Sequence, residues 1–327
     1  MGFSAARGSA RSGSASERIP LGLRLKAWWD GNDLVLKRRE PDAGAGAGAD
    51  DDAPRVVGYR DPARPWETAR VRLLQEVWGE GFCAPGGRAE TLRQASLFGL
   101  NSKMSMLDLG AGLGGPARAC VAEYGVWVSG LERDGELATA GAALSTLAGL
   151  AKQAEIAGFD PDGFAGPTRS FDCVLARDVL FAVADKARFL KLVDGALKPR
   201  GQLLVTDYVL SDSGSPDSVA VRSWIEGEPM RPNPWRADDY TACLRNLKLD
   251  IQLVQDTTVT GREQIVSGWA AYAGAASKDR LDADMARCLV EEVELWSRRV
   301  AAIDSGDLRL CRVYAVKSDR KVTSFAW

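Results

Sequence analysis

Histidine is absent from all 327 residues. That removes the side chain whose ordinary pKa lies closest to neutrality, and with it the commonest metal ligand. An excess of either charge is also missing. The 42 Lys and Arg nearly balance the 44 Asp and Glu, for a net charge of −2, so no global field draws the chain to nucleic acid and a polyanionic substrate is not expected. The six cysteines, at positions 83, 120, 173, 243, 288 and 311, include no CxxC pair. Their scatter argues against a zinc site or a disulfide framework and fits a reducing cytoplasm. No apolar run approaches the roughly 20 residues that span a bilayer. The opening stretch MGFSAARGSARSG has no apolar centre of a secretion signal, so a cytoplasmic location is expected. What is present is an ordinary globular composition, 46% hydrophobic and 26% charged, enough for one sizeable core with accessories.

Residues 1–17 are rich in Ser, Gly, Ala and Arg, and residues 41–54 read PDAGAGAGADDDAP. Neither can bury enough apolar surface to fold alone, and both are expected to be disordered. Between them, residues 19–39 mix Leu21, Leu23, Leu25, Trp28 and Trp29 with Arg and Lys. Two readings stand for this segment: a short element packed on the protein's own body, or a contact with a partner or a membrane surface. Residues 1–55 are thus read as an N-terminal extension, 56–100 as an N-terminal helical segment, 101–212 as the core, 213–317 as a cap with the last sheet strands, and 318–327 as a tail.

From about residue 100, short apolar runs alternate with helical stretches, the pattern of a parallel sheet covered on both faces. Strands are expected at 104–109, 126–131, 153–157, 171–175, 202–207, 250–255 and 309–316. Pro116 suits a first helical turn, Asp185 suits a cap for the helix carrying Phe189 and Val193, and Lys198–Gly201 reads as the turn between that helix and the fifth strand.

The stretch LDLGAGLGG places Gly110, Ala111, Gly112 and Gly114 between a strand and a helix, where bare backbone can approach a ligand. Glu132, followed by Arg133, ends the next strand, 22 residues after Gly110, where a carboxylate can accept hydrogen bonds from ribose hydroxyls. With Gly115 the loop also satisfies GxGxxG, so this motif alone leaves nicotinamide and S-adenosylmethionine both open. Asp108, inside the apolar strand before the loop, offers a carboxylate to the ammonium of a methionine moiety. The later FDCVLARD and LKPRGQLLVTDY complete a series that resembles class I methyltransferases, with S-adenosylmethionine as cofactor.

VWGEGFCAPGG (77–87), LDLGAGLGGPARA (107–119), LARDVLFAVADKARF (175–189), LKPRGQLLVTDYVLS (197–211) and WSRRVAAIDSGDLRL (296–310) resemble, in order, the phosphoethanolamine N-methyltransferases, over residues 70–317. The resemblance implies an α/β class I (Rossmann-like) fold: a seven-stranded, mostly parallel sheet with helices on both faces and a helical cap. It implies that Arg177 binds the cofactor carboxylate, that Asp178 faces the acceptor amine as a catalytic group, and that Gly81, Phe82 and Gly86 belong to a segment covering the cofactor. Tyr208, also read as catalytic, and Arg299 match the family's phosphate-binding tyrosine and lysine. The family's acceptor-site tyrosine and histidine align with Leu74 and Ala182. Its phosphate pocket aligns with 221–235, where Trp224, Arg231 and Trp235 stand as acceptor-site candidates without a matching tyrosine pair. Gly158 replaces an acid near the adenine, leaving Phe159 or Asp160. Trp224, Trp235, Tyr240 and Trp269 suit either an aromatic cage for a methylated cation or core packing.

GGPAR also resembles the loop of sterol and tocopherol C-methyltransferases, which keeps a lipid-like acceptor open. The expected function is N-methylation of a small amine or amino-lipid by in-line displacement, without a metal. C-methylation of a prenyl or sterol-like acceptor, a non-catalytic scaffold and a nicotinamide enzyme are the alternatives.

Overall fold

The structure is a computed structural model that describes residues 64–275 and 282–318. The readings for 1–55, including the 19–39 segment and both low-complexity stretches, and for nearly all of the tail lie outside the described residues.

Seven strands form one sheet: β1 (Ser105–Leu109), β2 (Trp127–Glu132), β3 (Ala154–Gly158), β4 (Phe171–Arg177), β5 (Leu197–Leu210), β6 (Leu249–Asp256) and β7 (Leu308–Lys317). Their order is β3-β2-β1-β4-β5-β7-β6. Strands β1 to β5 pair in parallel, while β7 runs antiparallel to both β5 and β6. The central strands are apolar on both faces because both are covered, and the two-residue period sorts their side chains. Met106, Cys173, Leu175 and Leu204 pack on one side with Ala117 and Cys120. Leu107, Val174, Ala176, Leu203 and Val205 pack on the other with Phe189, Val193 and Leu244. Each of the buried Leu, Val, Met and Phe side chains contributes about 1.5–3 kcal/mol by leaving water.

Helices α1 (Ala69–Trp78) and α2 (Gly87–Ala95) precede the sheet, and α3 (Gly115–Tyr124) and α4 (Gly135–Leu147) follow β1 and β2. Helix α5 (Lys186–Ala196) begins at Asp185, whose carboxylate accepts from the Arg188 N–H at 2.9 Å, as the sequence suggested. Helices α6 (Val219–Gly227) and α7 (Ala237–Asn246) lead to β6, and α8 (Thr258–Ala275) and α9 (Ala283–Asp304) precede β7. No helix among the described residues is long and apolar enough to cross a membrane.

The Lys-Pro-Arg-Gly turn is corrected in form. Leu197 already pairs with Phe171, and pairing resumes at Gln202 opposite Cys173. The four residues therefore make a bulge within β5, with Arg200 at φ 63°. Lys198 anchors the bulge through an ion pair to Asp172 at 2.8 Å.

The chain runs outward from β1 to β3 and then returns to β4 on the other side of β1. This reversal opens a crevice at the carboxyl ends of β1, β2 and β4, where open α/β sheets bind ligands.

Candidate active site

A cavity of about 370 Å³ occupies this crevice. Its floor is the glycine loop. Gly110, Gly112 and Gly114 all have positive φ (81°, 54° and 74°), and Gly114 is the left-handed residue from which α3 starts, with Pro116 in the first turn. A Cβ on Gly110 would collide with the Arg177 carbonyl oxygen, so the loop can lie against the end of β4 only without a side chain there. A Cβ on Gly115 would likewise collide with the Gly81 carbonyl oxygen, so the 79–87 turn can lie against the loop only without a side chain there.

Glu132 secures the loop from the side. Its Oε2 accepts the Gly112 N–H at 2.7 Å and its Oε1 accepts the Asp134 N–H at 2.8 Å. These two bonds use about half of a carboxylate's acceptor sites. Burial raises the Glu132 pKa, while the two backbone donors favour the charged form. Above the loop, the Cys83 thiol is pushed up to about 12, first by burial and then by Glu132, so it stays protonated.

At the end of β4, Arg177 Nη2 lies 3.1 Å from each oxygen of the fully buried Asp108. Its Nε is buried and has no partner. Asp178 follows with φ 49°, a left-handed conformation that a non-glycine residue adopts at a cost, held by its N–H bond to the Thr206 carbonyl at 2.8 Å. Burial in the cavity wall raises its carboxyl to about 6, against the pull of Arg299, Arg177 and Thr206.

The roof comes from α1 and α9. Leu74, Leu295 and Trp296 supply apolar surface, joined by Phe181 from the turn after β4, and Arg299 on α9 pairs with Glu228 through bonds of 2.5 and 2.9 Å. Arg70 reaches from α1 to Asp134 at 2.6 Å and to Glu292 on α9 at 3.2 Å, spanning the cavity mouth. Burial opposes ionisation of Asp134, but Arg70 and the backbone N–H groups of α4 hold its carboxyl below the usual range.

The sequence candidates divide accordingly. Gly110, Ala111, Gly112, Glu132, Arg133, Phe82, Arg177, Asp178 and Arg299 line the cavity. Gly114 and Gly81 shape it from behind. Asp108 does not line it; its carboxylate is used by Arg177, so the expected direct ammonium contact is corrected to a role in fixing Arg177. Tyr208 is also displaced. It is 2% exposed, packs on Phe181 and Trp224, and borders a small side chamber beyond Asp178 instead of the main cavity. Burial raises its phenol pKa well above the ordinary value, which removes it as a base.

Trp224 is fully buried and donates its indole N–H to Glu228 at 2.7 Å. Trp235 packs on Tyr240 in the core between the sheet and α7, and exposed Arg231 lies outside the cavity. Trp269 packs edge-on against Trp78 behind the roof, and Trp78 in turn packs on Trp296. The aromatic cage is therefore corrected to packing: none of the four expected rings lines the cavity, whose aromatic lining is Phe82, Phe181 and Trp296. Phe159 packs edge-on to Phe164 and Asp160 is exposed, so neither forms the cavity wall. Leu74 lines the cavity, and Ala182 offers its carbonyl to Arg133 Nη1 at 3.1 Å.

Glu228, Glu292, Arg70 and Phe181 were not picked out from the sequence. A signal existed for one set: Glu292, Trp296 and Arg299 recur at i, i+4 and i+7, one face of a helix. Glu228 lies beyond the end of α6, where no periodicity marks it.

The Methyltransferase domain family matches residues 85–252, about half of the chain. Phosphoethanolamine N-methyltransferase 3 of Arabidopsis thaliana is 28% identical over 153 residues, 46% of this chain and 31% of that protein. Cycloartenol-C-24-methyltransferase of the same plant is 27% identical over 184 residues, 53% of this chain and 54% of that protein. The match thus spans only about a third to a half of these relatives' length. Among solved structures, phosphoethanolamine N-methyltransferase 2 of Haemonchus contortus, in complex with S-adenosyl-L-methionine, superposes with a TM-score of 0.66 at 21% identity, covering 80% of this chain and 61% of that one. That likeness establishes the fold, and the seven-stranded sheet with its antiparallel β7 is the class I Rossmann-like arrangement expected from the sequence. Together with the domain match across the glycine loop, Glu132 and the β4 turn, it makes the chain a member of the methyltransferase-domain family.

Proposed function

We propose that the chain is an S-adenosylmethionine-dependent methyltransferase that N-methylates a small amine by in-line displacement. The observation that carries this is Glu132, fixed to the glycine loop by Gly112 and Asp134 with acceptor capacity left over beside a 370 Å³ cavity. The residues fit the cofactor on two further counts. Buried Arg177 Nε lacks a partner, as suits a donor for a carboxylate, and positive-φ glycines leave the loop free of side chains.

When bound, S-adenosylmethionine supplies an electrophilic methyl group on a sulfonium whose sulfur keeps the electron pair as the carbon–sulfur bond breaks. Glu132 would hold the ribose hydroxyls, and Arg177, steadied by Asp108, the amino-acid carboxylate. Asp178 would orient the acceptor nitrogen and take up the proton that the new ammonium releases, with its pKa of about 6 leaving it ionised at neutral pH. Phe181, Leu295 and Trp296 would exclude water from the reacting atoms. The six free cysteines suit the reducing cytoplasm in which we place the chain.

The apolar roof also favours a second reading, C-methylation of a prenyl or sterol-like acceptor, as the cycloartenol relative's name indicates for that protein. Calorimetric titration with S-adenosylmethionine, followed by transfer of labelled methyl to amine and lipid fractions, tests both. Label appearing in an amine supports the first reading and label in a lipid the second. Tight binding without transfer to any acceptor would leave a scaffold, and absence of binding would sink the enzymatic reading altogether.

A further inference from the structure

The charge pairing around the cavity says what kind of acceptor it admits. Six carboxylates and four guanidinium groups line it, and three of the four guanidiniums are already matched to carboxylates. Arg177 is held by Asp108, and Arg70 by Asp134 and Glu292. Arg299, facing the acceptor side with Trp296, is the most fully occupied. Its Nε and Nη2 both bond Glu228, whose side chain is fully buried, while Arg299 itself is 11% exposed. The guanidinium also lies 4.4 Å over the Trp296 ring and 5.6 Å from the Tyr208 ring, so its faces are covered. Trp224 fixes Glu228 in turn through its indole N–H.

The fourth guanidinium, Arg133, directly follows Glu132 and donates to the Ala182 carbonyl. Asp178 is the converse case. Among the described residues no cation lies within ion-pair distance of it, and it feels Arg299 and Arg177 only at longer range.

We propose that the acceptor is a small amine carrying no phosphate or carboxylate, and that Glu228 sets this selectivity by occupying Arg299. The proposal rests on the methyltransferase reading above. An anionic group on the acceptor would meet Asp178 and would gain Arg299 only by displacing Glu228, leaving a buried carboxylate unpaired. A neutral or cationic amine instead finds Asp178 open to its N–H groups and aromatic surface at Phe181 and Trp296.

The test is calorimetry on the full chain saturated with S-adenosylhomocysteine, using ethanolamine, phosphoethanolamine, glycine and inorganic phosphate as probes. Wild type should bind ethanolamine at least about tenfold more tightly than phosphoethanolamine or glycine, since the anionic group of either would meet Asp178 while Arg299 is already occupied. It should show no phosphate binding. E228Q frees Arg299 and should gain affinity for phosphate and phosphoethanolamine. The double variant E228Q/R299M, which leaves no unpaired charge in the core, should lose that gain.

Preference of the wild type for phosphoethanolamine or glycine, or affinity for none of the three amines, overturns the proposal. So does a folded E228Q that gains nothing. Should E228Q fail to fold, the wild-type order of affinities decides alone. Phosphate binding to wild type that disappears in R133Q would also overturn it, by making Arg133 an anion site. Failure to bind S-adenosylhomocysteine is a separate outcome, which removes the methyltransferase reading itself.

Discussion

Under β1 and β2 the cavity is shaped by main chain. Positive-φ glycines form the floor, and one carboxylate, Glu132, is held by two backbone N–H groups. Under β4 and α9 the same cavity is shaped by side chains: Arg177 with Asp108, Arg299 with Glu228, and Asp178 standing apart. A surface made of backbone tolerates few replacements but demands little of distant residues. A surface made of ion pairs depends on partners far away in sequence, and changing either partner leaves the other's charge without its match.

The contrast can be broken hardest at Asp178. If its carboxylate takes the proton, Asp178→Asn should lower kcat/KM for an amine by about 10²–10⁴-fold while the affinity for S-adenosylhomocysteine stays within about twofold, as expected for a residue outside the nucleotide contacts. The wild-type pH profile should carry an acidic limb near 6, where the carboxylate protonates, and the variant should lose that limb. Stability should move in the opposite sense. The folded pKa lies above the ordinary carboxylate value, so the contribution of Asp178 is fully present below that value and is lost as pH rises through about 6. Asp178→Asn should accordingly raise the denaturation midpoint at pH 8 relative to wild type, and not at pH 4.

Next in size is Arg177→Met, which strands the buried Asp108 carboxylate. A loss of about 3–5 kcal/mol in urea unfolding is expected, whereas Arg177→Met/Asp108→Leu should recover most of it without restoring cofactor affinity. Glu132→Ala tests the backbone end. Loss of charge-assisted hydrogen bonds worth about 1.5–3 kcal/mol should weaken S-adenosylmethionine binding by about ten- to 150-fold in calorimetry. The smallest effect belongs to Arg231→Ala. Exposed and outside the cavity, it should change stability by no more than about 0.5 kcal/mol and leave the methyl-transfer rate unaltered.

The same contrast explains what the sequence could convey. Strand positions, the Asp185 cap and the glycine loop are local patterns, and all seven strands lie where periodicity put them, most ends within two residues. The exception, β5, begins five residues early because pairing to Phe171 is a long-range fact that a Lys-Pro-Arg-Gly segment hides. Glu132 was legible because strand end and spacing fix it together. Trp224 and Trp235 misled because an aromatic residue reads the same in a core as in a binding wall, and only burial separates the two. Glu228 was silent for the opposite reason: its meaning lies wholly in Arg299, 71 positions away.

Arg70 carries one last consequence. A single guanidinium joins α1, the amino end of α4 through Asp134, and α9 through Glu292, positions 64 and 222 residues distant along the chain. Asp134 in turn supplies an N–H to Glu132. On the proposed function, a ligand that tightened α9 from below would also tighten the grip of Glu132 on a ribose, and thermodynamic reciprocity would then require the converse by the same factor.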